Sequence, residues 1–330
     1  MRFKFRLMLL SAALALLAVS AASALLPPSE DYQPSNPYWN GLESFFKAVN
    51  ATSINLAYEK VAPENSVLFV IGPSVNFTQL RVEALKEYLL EGGTLVLMDE
   101  TGAVNPVLSG LGLNVSVDGH PMLDPVFYYG SWRMPKIINV VGGDLTSGVE
   151  NIALNLPSTL NIKGSGLTVL AYSSSFSFLD LDGNSEPSAG EPTGPFAVAA
   201  VAAYGKGRLI LFSDSSIFLN SVISLGDNLK LLHNIAGEKA VFVDASVWQP
   251  TPQLAYRNAV LSVYRVFSAP EFRYSLAFAT VTVIYTLMHK EKPIPGVDEE
   301  VDELVRRHPS WNRRLLEALK EARDRVVQRS

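Results

Sequence analysis

Residues able to do chemistry gather in two places in this 330-residue chain. The stretch "DLDGNSEPSAGE" sets Asp180, Asp182, Asn184 and Glu191 at the first, third, fifth and twelfth positions of a loop. That is nearly the rhythm with which a calcium loop surrounds Ca²⁺ with oxygen donors. The glycine, however, is Gly183 at the fourth position, where an EF-hand needs it at the sixth, and strands flank the loop where an EF-hand has helices. Asp182-Gly183 is also a strong turn former, so a solvated hairpin loop explains the same residues without a metal. The loop is therefore either a Ca²⁺ site or a polar turn.

The second gathering lies at the ends of apolar runs. Asp99-Glu100-Thr101 follows "TLVLM", Ser213-Asp214-Ser215-Ser216 follows "RLILF", and Gly72-Pro73-Ser74 follows "SVLFVI". In an open α/β sheet, ligands bind outside the carboxyl ends of the strands. Asp99, Glu100, Ser213 and Asp214, with Asn220 just downstream, are the candidate ligand-binding residues. Converging carboxylates there could bind a cation or a sugar, or act as acid and base in a hydrolase. The competing role is structural, because strand-end Asp and Ser commonly accept backbone N–H bonds as caps.

No catalytic residue is legible. There is no cysteine, which excludes disulfides, thiolate metal sites and a thiol nucleophile. No Gly-x-Ser-x-Gly elbow stands in its place. His120 in "VDGHPM" is a loop residue, and His233 sits beside Leu231 and Leu232 on a helix. Neither has a readable nucleophile partner.

The elements that must position these groups are α/β. "SVLFVIG" is a continuous apolar run, as expected for a strand covered on both faces. "FTQLRVEALKEYLLEGG" reads as a helix with Leu80, Val82, Leu85, Leu89 and Leu90 on one face, stopped by paired glycines. "TLVLMDE" completes a βαβ unit, which implies a parallel sheet. "GLTVLAYSS" and "FSFLDL" read as strands, and "GPFAVAAVAAYGKGRLILFSDSS" as two more joined at Gly205-Lys206-Gly207. "LGDNLKLLHNIAG" is a helix capped by Asp227 or Asn228. The expected fold is a flavodoxin-like, mostly parallel sheet with an antiparallel edge.

The two ends suggest a membrane layout. "MRFKFR" precedes an uncharged run from Leu7 to Leu26, read as a signal anchor or a cleaved signal peptide over 1–26. A second run, Tyr274 to Met288, is read as a transmembrane helix over 273–289. Residues 27–245 then form an extracytoplasmic domain, 246–272 a connector and 290–330 a cytoplasmic helical tail, with both termini cytoplasmic. Export would make Asn50, Asn76 and Asn114 glycosylation acceptors. In the tail, Trp311, Leu315, Leu319, Ala322 and Val326 form an apolar stripe that needs a partner. The acidic balance of residues 27–273 argues against nucleic-acid binding.

Two segments carry a family likeness. "VLFVIGPSVNFTQLRVEALKEYLLEGGTLVLMDE" resembles the opening βαβ of the class I glutamine-amidotransferase-like fold. "YGKGRLILFSDSSIFLNSVISLGDNLKLLHNI" is similar to an element of an uncharacterised prokaryotic, largely archaeal family of membrane-anchored domains of unknown function. That family is similar in turn to auxiliary domains of gliding-motility-type ABC transporters. The likeness covers roughly Asp31 to Gly237 and implies transporter components or a MoxR-type AAA ATPase system as partners. It departs from the amidotransferases in lacking their cysteine.

Together these readings favour a membrane-anchored, non-enzymatic interaction module, binding a protein, peptide or glycan through a degenerate amidotransferase-like domain. The alternatives are a cell-envelope hydrolase using strand-end carboxylates or a metal, and a solute-binding accessory of an ABC transporter.

Overall fold

The computed structural model describes residues 2–56, 59–249, 251–288 and 297–327. Its centre is an eight-stranded sheet. In chain order the strands are β1 (Thr52–Ile54), β2 (Ser66–Ile71), β3 (Thr94–Met98), β4 (Asn139–Val140), β5 (Thr168–Tyr172), β6 (Ala197–Tyr204), β7 (Gly207–Phe212) and β8 (Ala240–Asp244). They lie side by side as β1-β8-β2-β3-β7-β6-β5-β4. The pairs from β1 through to β7 are parallel, and those among β7, β6, β5 and β4 are antiparallel. The mostly parallel α/β sheet with an antiparallel edge is thus the observed architecture.

The continuous apolar runs form strands because both faces of the sheet are covered. Val67, Phe69 and Ile71 of β2 enter one core with Val96, Met98, Ile210 and Phe212. Leu68 and Val70 enter the other with Leu95, Leu97, Leu209 and Leu211. On the first face pack helices α2 (Glu43–Val49) and α5 (Asn228–Ala236), which contribute Phe45, Leu231, Leu232 and Ile235. On the second pack α3 (Gln79–Leu90) and α4 (Asn105–Gly110), with Val82, Leu85, Leu89, Val107 and Leu108.

Helix α3 starts where Thr78 Oγ1 accepts the Arg81 N–H at 3.3 Å. Its buried face is Val82, Leu85, Tyr88 and Leu89. Leu80 and Leu90, expected on that face, are exposed. At 100° per residue, Leu80 points about 200° away from Val82, so spacing alone places it opposite.

The hairpin between β6 and β7 turns on Gly205 and Lys206. A Cβ at Gly207 would lie 2.2 Å from Gly93 O and 2.6 Å from Leu89 O. The antiparallel edge therefore closes directly on the end of α3. Gly207→Ala is expected to lower unfolding stability by about 1–3 kcal/mol through overpacking, readable from a urea midpoint.

The remaining helices are α1 (Arg2–Leu25), α6 (Pro252–Ser268), α7 (Pro270–Met288), α8 (Val297–Arg307) and α9 (Arg313–Val327). The chain divides into two compact units, residues 1–261 and 262–330. Most of the expected connector over 246–272 is helix α6. In the second unit α8 and α9 are joined by Arg313–Asp302 at 3.0 Å and by Lys320–Glu300. The segment "KPIPG" at the start of the expected tail lies outside the described residues.

Both runs expected to be membrane segments are helical, in α1 and α7. Among the described residues, however, no helix is long and apolar enough to cross a membrane. This corrects the expected layout of signal anchor, transmembrane helix over 273–289, extracytoplasmic domain over 27–245 and cytoplasmic termini. The run from Tyr274 to Met288 rises only about 22 Å, against a hydrocarbon core of about 30 Å. Its helix reaches 19 residues by including Glu271 and Arg273. In the run from Leu7 to Leu26, ten of the twenty residues are alanine or serine. On that helix Ser20 Oγ lies 2.7 Å from the Tyr256 hydroxyl of α6, a polar tie.

Candidate functional site

The carboxyl ends of β2 and β3 open into a cavity of about 390 Å³ lined by Tyr32, Gly72, Ser74, Asn76, Asp99 and Glu100, among others. Two of the three expected carboxylates at these strand ends are consumed by the fold. Asp99 Oδ1 accepts the Thr101 N–H at 2.9 Å and the Thr101 hydroxyl at 2.7 Å. Its Oδ2 accepts the Val104 N–H at 2.9 Å, fixing the loop that leads into α4. Asp214 is fully buried. Its two oxygens accept the Asn155 and Ser216 N–H groups, each at 2.6 Å. Burial, and after it the charge of Glu100, pushes its pKa up to about 8.

Glu100 also lines the cavity, and its carboxylate is bonded by Ser215 of the loop after β7. Oε2 accepts from the Ser215 N–H at 2.9 Å and the Ser215 hydroxyl at 2.5 Å. The Tyr32 hydroxyl lies 2.6 Å from the same Ser215 Oγ. With Ser215 donating to Glu100, Tyr32 donates to Ser215, and the three form one relay. Burial raises the Glu100 pKa, against the lowering effect of the Ser215 bonds. Burial also raises that of Tyr32, with the Glu100 charge acting in the same direction.

Tyr32 is the residue the sequence reading missed, because "SEDYQPSNPYWNG" reads as a Pro-rich connector. Its backbone has φ 60°, which is rare for a bulky residue and implies local strain held by its surroundings. The Tyr32 N–H donates to Asn40 O at 2.9 Å. The ring stacks on Trp248 at 6.2 Å and lies against Gly72. A Cβ on Gly72, whose φ is +51°, would meet the Tyr32 ring at 2.7 Å. Gly72→Ala is expected to displace that ring and cost about 1–3 kcal/mol of unfolding stability. Urea unfolding followed by circular dichroism measures it.

Asn220 and Ser213 do not line the cavity. Asn220 Nδ2 donates to Asn36 O at 2.8 Å and Tyr38 O at 2.6 Å, and its Oδ1 accepts the Ser44 N–H at 2.8 Å. It clasps the segment that carries Tyr32 and so positions the site from outside it. Ser213 Oγ donates to Ser158 O at 2.9 Å. His120 Nδ1 is 2.7 Å from Asp118 Oδ1 on the surface, and among the described residues no serine hydroxyl bonds it. Asn50, Asn76 and Asn114 are exposed, Asn76 at the cavity's edge. In the acidic loop, Asp180, Asp182 and Glu191 converge. Asn184 instead turns its Nδ2 to Asp182 and Ser188.

Solved structures with a similar backbone include the mmIFT52 N-terminal domain, at 17% identity and TM-score 0.40 over 50% of this chain and 73% of that one. A cytoplasmic protein from Salmonella typhimurium LT2 is 18% identical, with TM-score 0.33 over 52% of this chain and 67% of that one. A beta-galactosidase from Bacillus circulans sp. alkalophilus is 15% identical, with TM-score 0.31 over 53% of this chain and 23% of that one. Likeness at this level says nothing of what the chain binds. No curated protein matches the chain. A family model matches residues 34–236, more than half of the chain, and the chain belongs to that family, described as "Domain of unknown function (DUF4350)".

Proposed function

We propose that the chain is a non-enzymatic binding module whose strand-end cavity takes a neutral, hydroxyl-rich ligand of the glycan class. The observation that carries this reading is the capture of Asp99 and Asp214 by backbone N–H groups. Hydrolysis by strand-end carboxylates needs an acid and a base that are both free to reach the substrate. Here Glu100, itself bonded by the Ser215 N–H and hydroxyl, has neither Asp99 nor Asp214 as a free second carboxylate.

The cavity's chemistry supports a neutral ligand. Among the described residues its lining holds no Lys, Arg or His, so an anion would find no cation there. Hydroxyls and an amide on Tyr32, Ser74, Thr101 and Asn76 suit a sugar's alternating donors and acceptors. The volume falls in the lower part of the range of small-ligand sites, about 300–1,000 Å³. The parallel β2-α3-β3 core without a cysteine supports a degenerate amidotransferase-like body.

The tail adds a coupling role. Leu315, Leu319 and Val326 of α9, with Trp311 just before it, are all exposed and form an apolar stripe open to a partner. Transporter components or a MoxR-type AAA ATPase are the partners that the sequence resemblance suggests.

A panel of neutral and anionic oligosaccharides, screened for binding to the full chain and for cleavage, tests the reading. The expected result is saturable binding of neutral members with none cleaved. Turnover of any glycoside, or preference for anionic members, would overturn it.

A further inference from the structure

The loop from Asp180 to Glu191 contains a feature that the binding cavity does not explain. One carboxylate oxygen from each of Asp180, Asp182 and Glu191 lies within 4.8 Å of the others. Three carboxylates brought this close repel one another unless a positive charge sits among them. Among the described residues none of the three has an ion pair. The Arg133 guanidinium, which reaches this loop, donates to Ser185 Oγ at 2.8 Å.

Asp180 supplies a second, independent observation. It is only 5% exposed, the sole buried member of the cluster. Its Oδ2 accepts the Ser185 N–H at 3.0 Å, whereas its Oδ1 is buried without any hydrogen-bond donor. A buried carboxylate oxygen with no partner costs free energy that a bound cation removes.

The rest of the loop is organised to hold these oxygens in place. Glu191 accepts the Leu181 N–H at 2.8 Å and the Ser188 N–H at 2.9 Å, so it closes the loop's two ends on each other. Asp182 accepts the Asn184 N–H at 3.1 Å and the Ser188 hydroxyl at 2.9 Å. Below the loop, Leu179 N–H donates to Pro192 O and Gly194 N–H to Ser177 O, at 3.1 and 2.7 Å. The three carboxylates are therefore presented by a closed Ω-like loop on a short antiparallel stem.

We propose that Asp180, Asp182 and Glu191 form a Ca²⁺ site, with Asp180 Oδ1 as the ligand that lacks any other partner. All the donors are hard oxygens, which select Ca²⁺ or Mg²⁺ over softer metals. Oxygens sharing one Ca²⁺ at about 2.3–2.6 Å can be at most about 5 Å apart, a spread the cluster meets. Three carboxylates in an irregular loop suit the flexible coordination of Ca²⁺ better than the strict octahedron of Mg²⁺. The site is not an EF-hand. It uses the first, third and twelfth positions of the loop, and Asn184 at the fifth orients Asp182 and Ser188.

The test is calorimetric titration of the full chain with CaCl₂ and, separately, MgCl₂, with the melting temperature recorded alongside. The expected result is one Ca²⁺ per chain with Kd of about 0.1–1 mM and a higher melting temperature in Ca²⁺. Asp180→Asn and Glu191→Gln, each checked for native circular dichroism, are expected to weaken binding at least about tenfold, one decade of Kd. Glu186→Gln, outside the cluster, is expected to bind as the parent does. Absence of saturable heat up to about 10 mM Ca²⁺, well above the weakest range expected, would overturn the site. So would equal affinity for Mg²⁺, or Ca²⁺ binding unchanged in both Asp180→Asn and Glu191→Gln.

Discussion

Replacing Asn228 with alanine is expected to destabilise the chain by about 3–5 kcal/mol, among the largest effects of any single substitution. Asn228 is fully buried at the start of α5. Its Oδ1 accepts the Ala153 N–H at 2.9 Å, and its Nδ2 donates to Ala153 O, Ile217 O and Val222 O at 2.9, 3.1 and 3.2 Å. Alanine removes this partner from four backbone groups in a site closed to water; Val222 O keeps the Leu225 N–H at 2.9 Å, and each group left unsatisfied costs roughly 1–3 kcal/mol. The residue also ties the strand segment at Ala153 to the turn after β7. Two residues on, the Asn155 N–H holds Asp214. Urea unfolding of the full chain measures the loss. A change below about 1 kcal/mol, within the range of ordinary surface substitutions or little above it, would contradict this account of Asn228.

Stability is also expected to fall as pH rises from about 5 to about 8, by at least about 2 kcal/mol. Asp214 carries this dependence. Its pKa is pushed up to about 8 in the folded chain by burial and then by the Glu100 charge. The ordinary Asp value in the unfolded chain is about 3.9. Between those values the folded state binds more protons than the unfolded one. The contribution is therefore complete below about pH 3.9 and is lost as pH climbs through about 8. Glu100, also raised by burial, acts in the same direction. Asp227 acts oppositely, because hydrogen bonds from Lys230 and the Glu150 N–H hold it below its usual range. Its effect falls below about pH 4, outside this window. Urea midpoints at pH 5, 6.5 and 8 measure the trend, and Asp214→Asn is expected to flatten it. A profile that rises with pH would show that Asp214 is ionised in the fold.

The parts legible in the sequence are those where local pattern and tertiary role coincide. "SVLFVI" and "RLILF" read as strands covered on both faces, and the Gly205-Lys206-Gly207 turn fixed the antiparallel pairing of β6 with β7. The family match over 34–236 falls within the span where the resemblance was seen. Apolar continuity misled at Tyr274–Met288, where a run too short for a bilayer was extended through charged neighbours. Tyr32 was illegible because its role depends on Asn220 and Gly72, which lie 188 and 40 positions further along the chain. The carboxylates Asp99 and Asp214 were visible as residues. Their capture by N–H groups was not, since that depends on how the loops after β3 and β7 close.

The central claim is that Tyr32, Ser215 and Glu100 form a binding relay and not a catalytic one. Isothermal titration of the full chain with its best neutral oligosaccharide tests this most directly, using the parent, Tyr32→Phe and Glu100→Gln, with the sugar recovered afterwards. The account predicts one site per chain, affinity reduced about tenfold or more in each variant, and intact sugar throughout. Cleaved sugar with the parent and intact sugar with Glu100→Gln would contradict it.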